Sequence, residues 1–179
     1  MLKEITYVQE TADLLYSAHQ LEVALDDMAT QINAQLADTN PLVLCALNGG
    51  IITTGKLLPR LTMPLTLDSV NASRYQNKTA GGTLEWLLKP KTPIKDRTIL
   101  IIDDILDEGI TLSVIKEYCL EQGATAVYTA VLLDKDLGHS KPISADFVGL
   151  PVENRYLFGY GLDYKGYLRN APGIYACTL

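Results

Sequence analysis

Apolar residues in the first part of the chain fall at helical spacing. Leu14, Leu15, Ala18, Leu21, Leu25, Met28, Ile32 and Leu36 recur at intervals of one, three or four, which lines one face of an α-helix. The pattern predicts one long helix, stopped by Asp38-Thr39-Asn40-Pro41. It then changes to a continuous apolar run, Leu42-Val43-Leu44-Cys45-Ala46, the mark of a strand buried on both faces of a parallel sheet. Asn48-Gly49-Gly50 breaks the run, and a helix is expected to about Leu58. A strand is expected from Leu65 to Ser73, then a polar, glycine-containing loop from Arg74 to Gly82, then a strand over Leu84 to Leu88. Thr98-Ile99-Leu100-Ile101-Ile102 is a second buried strand, ending in Asp103-Asp104. Ile110 to Gln122 reads as a helix stopped by Gly123, and Ala126 to Leu133 as a third core strand.

Strand, helix, strand at these lengths is a βαβ unit, so the fold class is α/β: a Rossmann-like parallel sheet flanked by helices. The core is expected over about 38–134. A small C-terminal/N-terminal hood is expected over the sheet end, built mainly from residues 135–179, which have shorter runs and more Gly and Pro. The chain has 179 residues, 47% of them hydrophobic, which suits a single domain with a sizeable core. No internal repeat is present.

Charge and cysteine content narrow the functional classes. The formal net charge of −6 disfavours general nucleic-acid binding, which needs a basic face. It leaves room for an anionic small ligand held by backbone N–H groups. Cys45, Cys119 and Cys177 lie far apart without a C-x-x-C pair, and read as reduced thiols in a cytoplasmic protein. The N-terminus lacks a signal-peptide pattern, and no apolar run approaches the roughly 20 residues of a membrane span. His19 and His139 are isolated, and no spacing suggests zinc.

The richest chemistry lies at the carboxyl end of the second buried strand, where open parallel sheets bind ligands. In Ile99 to Leu112, Gly109 permits a tight turn and close approach to a ligand. The amides of Glu108, Gly109, Ile110 and Thr111 open a helix and suit an anion. Asp103 and Asp104 can hold ribose hydroxyls or a metal on them, and Asp107 is placed to act as a base. A pair of acids after a strand is by itself also an ordinary helix cap.

The full string, hydrophobic strand, Asp-Asp, two aliphatics, Asp-x-Gly-x-Thr, helix, resembles the 5-phosphoribosyl 1-diphosphate (PRPP) motif of the type I phosphoribosyltransferases. It carries Glu108 where that motif usually has Thr. Other segments resemble the hypoxanthine-guanine branch. Ala46-Leu47-Asn48-Gly49-Gly50 is similar to the pyrophosphate loop, in which the peptide matching Leu47–Asn48 is often cis and a Lys often stands in place of Asn48. Ser73-Arg74-Tyr75 through Trp86 resembles the flexible catalytic loop. Gly159-Tyr160-Gly161-Leu162-Asp163-Tyr164 is similar to a string specific to this branch.

The resemblance implies purine salvage: Mg²⁺-dependent transfer of the phosphoribosyl group from PRPP to a 6-oxopurine, hypoxanthine or guanine. It implies Lys135 on the purine oxo group, Tyr156 stacked on the base, and Leu157 and Asp163 facing its exocyclic edge. It places Arg169 with Leu47, Asn48 and Gly49 on pyrophosphate. Asp103 and Asp104 would hold Mg²⁺ and ribose, and Asp163 a second Mg²⁺. It also implies a homodimer or homotetramer. A xanthine-preferring enzyme, or a non-catalytic PRPP sensor of the same fold, remains as an alternative.

Overall fold

A computed structural model describes residues 1–74 and 84–178. The chain order is α1 (Leu2–Thr11), β1 (Asp13–Tyr16), α2 (Ala18–Leu36), β2 (Leu42–Ala46), α3 (Gly50–Leu57), a 3-10 turn (Leu58–Arg60), β3 (Thr66–Arg74), β4 (Leu84–Leu88), β5 (Thr98–Leu106), α4 (Ile110–Glu121), β6 (Ala126–Lys135), β7 (Phe147–Val152), β8 (Leu157–Phe158) and β9 (Ile174–Ala176).

Six strands form the main sheet in the order β4-β3-β2-β5-β6-β7. All neighbours are parallel except β3 and β4. The continuous apolar runs are explained by burial on both faces. Alternate side chains of β2 and β5 point to opposite sides. Leu42, Leu44, Ile99 and Ile101 join one core with Leu112, Ile115 and Cys119 of α4. Val43, Leu100 and Ile102 join the other, with Leu21, Leu25, Met28 and Ile32 of α2. A separate three-stranded sheet, β1-β9-β8, forms the hood. Its small core joins Ile5 and Val8 of α1 to Phe158, Tyr164, Leu168 and Cys177.

The structure departs from the sequence reading in three places. Leu14 and Leu15 lie in β1, paired with β9, and not in the long helix. The helix begins after Ser17, whose hydroxyl accepts from the Gln20 amide while the Gln20 side chain accepts from the Ser17 amide, a capping box. Through β1 the N-terminal segment joins the hood, in line with the expected C-terminal/N-terminal hood. Conversely, Phe147–Val152 within 135–179 belongs to the main sheet, because β7 extends the parallel ladder of β6. Finally, Arg74 extends β3 past the expected end at Ser73, since its pairing with Leu84 carries the strand on. Tyr75 and the rest of the expected flexible loop, through residue 83, lie outside the described residues. Among the described residues, no helix is long and apolar enough to cross a membrane.

Candidate active site

The chain turns from β2 to β3 on one side of the sheet and from β5 to β6 on the other. The loops after β2 and β5 therefore diverge at a switch point, where a crevice opens. Both loops named from the sequence meet there.

Strand β5 runs farther than its apolar run suggests, because pairing with β6 continues to Leu106 opposite Asp134. Asp103 and Asp104 thus lie within the strand, and alternation sends them to opposite faces. Asp103 lines a cavity of about 230 Å³ with Ile105 and the 106–112 loop. Asp104 lines a second cavity of about 280 Å³ with Ile105, Asp107, Lys135, Tyr156, Leu157, Leu162 and Asp163. Ile105 and Asp107 form a wall common to both.

The first cavity suits an anion. Gly109, at φ +77°, turns the chain into α4, and no side chain caps the helix. Ser113 N–H bonds to the Gly109 carbonyl at 3.0 Å, so the amides ahead of it precede the helical ladder. The helix N-terminus and its dipole face the cavity rim.

The second cavity has acid, base and aromatic groups together. Lys135 ends β6, and its ammonium lies 2.9 Å from Asp107 Oδ2. Tyr156 is half exposed and packs edge-on to Tyr164, with ring centroids 5.4 Å apart. That leaves a flat apolar ring beside a paired acid and base. Burial, reinforced by the neighbouring Asp104 carboxylate, pushes Asp103 well above the usual carboxylate range. Burial raises Asp104 too, against the opposing pull of hydrogen bonds and the Arg169 charge.

The loop after β2 carries a cis peptide at Leu47–Asn48. Its glycines are packed against the acids. A methyl group on Gly49 would overlap the Asp104 carboxylate, and one on Gly50 would lie 2.8 Å from the Ile102 carbonyl oxygen. From the hood, Gly161 comes down on the Gly49 carbonyl. Arg169 holds this turn: one terminal nitrogen donates to the Gly161 carbonyl at 2.7 Å, and the other pairs with Asp163 Oδ1 at 2.7 Å.

The structure thus brings Asp107, Lys135, Tyr156, Leu157 and Asp163 together around one cavity, with Arg169 and the Leu47–Gly49 loop alongside. Asp103, Asp104 and Asp163 do not make a three-ligand nest. Among the described residues no group of three or more His, Cys, Asp or Glu side chains could hold a metal ion.

Three contributors escaped the sequence reading. Ile105 and Leu162 are ordinary apolar residues whose role comes only from position. Glu22, on α2, anchors the hood turn: Tyr160 O–H donates to its carboxylate at 2.6 Å, beside Lys56 at 2.7 Å and Arg60 at 2.6 Å. Lys56 first, then Tyr160, hold the Glu22 carboxyl down at about 2 against the pull of burial. A folded-state value below the ordinary 4.5 means the stabilisation is present above pH 4.5 and is lost as pH falls toward 2. Glu22→Gln should therefore lose less stability than wild type across that window, measured by thermal unfolding at stepped pH.

A buried acid pair beside a helix-terminus anion site, under a hood, at the switch point of a parallel sheet defines a class of nucleotide-forming transferases. Residues 11–165 match the phosphoribosyl transferase domain family, and the chain belongs to that family. Its relatives include the hypoxanthine-guanine phosphoribosyltransferase of Bacillus subtilis (strain 168), 33% identical over 162 residues and covering 90% of each chain. The hypoxanthine-guanine-xanthine phosphoribosyltransferase of Tritrichomonas foetus is 28% identical over 174 residues, 97% of this chain and 95% of the relative. A crystal structure of a hypoxanthine phosphoribosyltransferase from Staphylococcus aureus matches with a TM-score of 0.87 at 25% identity, covering 93% of this chain and 91% of that one. These relatives place the chain in the hypoxanthine-guanine branch of the family.

Proposed function

We propose that this protein is a cytoplasmic purine-salvage enzyme that transfers the 5-phosphoribosyl group of PRPP to hypoxanthine or guanine, giving IMP or GMP and pyrophosphate. The observation that carries the reading is the shared wall. One cavity ends at a helix N-terminus, the other at an acid–base pair under an aromatic ring, and Ile105 and Asp107 separate them. A sugar phosphate in the first and a base in the second would meet at that wall.

The residues then take the following roles. Glu108 to Thr111 hold the 5-phosphate through backbone N–H groups. The Leu47–Gly49 loop and Arg169 meet the diphosphate. The base lies against Tyr156, with Leu157 and Asp163 along its exocyclic edge. Lys135 donates to the 6-oxo group, and this draws its ammonium from Asp107. The released Asp107 carboxylate accepts the proton from purine N7. N9 forms its bond to ribose C1 as the C1–oxygen bond to diphosphate breaks and the electron pair leaves with the diphosphate. Closure of the site keeps water from C1. Most of the rate gain comes from positioning and from charge placed where it develops.

Asp103 on one cavity and Asp104 on the other each offer a carboxylate that suits a cation whose remaining ligands are phosphate oxygens and water, the usual habit of Mg²⁺. A cation there would also offset the burial that, reinforced by the Asp104 charge, raises Asp103. Asp103 and Asp104 would hold Mg²⁺ with the ribose hydroxyls and diphosphate, and Asp163 a second ion; bound Mg²⁺ supplies charge neutralisation on the leaving diphosphate.

Lys135 is a donor and suits a 6-oxo group. Adenine presents an amino group there and offers it no acceptor. Incubation with PRPP, Mg²⁺ and each of hypoxanthine, guanine, xanthine and adenine should yield nucleotide from the oxopurines. Absence of product with every base would sink the enzyme assignment, and product from adenine alone would sink the pocket assignment. Assembly as a homodimer or homotetramer is part of the same reading, and light scattering on the eluted protein reads it.

Glu108 carries a carboxylate on the rim of the anion cavity. At a distance of several ångströms in a solvated setting its repulsion should be modest. Glu108→Gln should lower KM for PRPP about twofold to fivefold with kcat little changed. An unchanged KM would show that the carboxylate points clear of the phosphate.

A further inference from the structure

A third cavity, of about 580 Å³, opens on the far side of the 5-phosphate loop, lined in part by Leu106, Asp134, Lys141, Pro142 and Ile143. The loop is therefore not backed by solid core there. One side chain bridges it. Lys141 Nζ donates to the Leu106 carbonyl at 2.8 Å and to Asp134 Oδ1 at 2.6 Å. Leu106 is the last residue of β5 and Asp134 its partner across the ladder, so the ammonium closes the two strands where the loop departs. The same segment supports the loop's other end. A methyl group on Gly109 would lie 3.2 Å from Ile143 Cγ2 and 3.6 Å from Lys141 Cβ. Head and stem of Lys141 thus hold the start and the turn of the 107–109 segment. The lysine side chain is only 11% exposed, so its two charge-assisted bonds are poorly replaced by water.

We propose that Lys141 is a positioning residue for PRPP: it clamps the 5-phosphate loop from behind without touching substrate. This rests on the reading that 107–111 holds the phosphate. The clamp acts on one substrate's cavity, so it is separable from a general effect on folding. Lys141→Met keeps the unbranched stem behind Gly109 and removes the charged head. It should raise KM for PRPP about tenfold, with KM for the base within twofold and kcat within about threefold. Lys141→Arg, which can reach the same two acceptors, should return KM for PRPP to within about threefold of wild type. Asp134→Asn leaves the Leu106 bond and removes the ion pair, so about a threefold rise is expected. That variant carries the test if Lys141→Met does not fold.

The outcomes separate cleanly. A wild-type protein that forms no nucleotide overturns the site reading itself. An active wild type with unmoved KM for PRPP in the variants overturns the clamp alone. A parallel rise in KM for both substrates, with a fall in Tm and no rescue by arginine, also overturns it, because it would mark a structural role.

Discussion

Asp107→Asn should lower kcat by about two to three orders of magnitude, while KM for PRPP changes less than about threefold. The substitution keeps the shape of the wall between the two cavities and removes the group that can accept a proton. It also removes the charge from the 2.9 Å pair with Lys135 and leaves at most a weaker neutral acceptor. Lys135 then meets the base after leaving only a weaker partner, so KM for the purine should stay level or fall. Steady-state kinetics with each substrate varied in turn separates the two effects. An equal loss of turnover and of PRPP affinity would mean that Asp107 serves binding rather than proton transfer.

Gly161→Ala should be a severely damaging small substitution in the site. The residue sits at φ +112°, where a side chain is strained, and an added methyl would overlap the Gly49 carbonyl. The obstacle is backbone, so no rotamer change relieves it. A cost of about 2–4 kcal/mol would lower Tm by roughly 5–15 °C for a chain of this size. The hood turn would lift from the pyrophosphate loop, and KM for PRPP should rise well over tenfold. Gly166→Ala is the control. It also has positive φ, +85°, but an added methyl there meets nothing within 4 Å. It should cost only about 1–2 kcal/mol of backbone strain and leave KM unchanged. Equal behaviour of the two variants would show that the contact with Gly49 is not what Gly161 provides.

Much of the site was legible because its parts are local strings. The turn at Gly109, the Leu47–Gly50 break and the Asp163 segment each announce themselves within a few residues. What was not legible depends on pairing. The separation of 28 positions between Asp107 and Lys135 gives no hint that the two side chains touch. The extension of β5 through Asp103 and Asp104 comes from the β6 ladder, which overrides the loss of hydrophobicity. Helix α1 buries only Ile5 and Val8, so its apolar signal is thin. Leu14 and Leu15 fit the helical spacing by coincidence. Ser17 and Gln20 carried the true boundary as a capping signal. Strand β7 contains Gly149 and Pro151, which made it read as hood rather than sheet edge.

The pairing of Lys135 with Asp107 has one more consequence. Each charge is cancelled by the other before substrate arrives, so the base cavity presents little net field at this point to an uncharged purine. The helix N-terminus one wall away has no side chain capping its exposed dipole. The two substrates therefore approach under different electrostatic regimes. Changing ionic strength should alter capture of the sugar phosphate and leave capture of the base almost untouched.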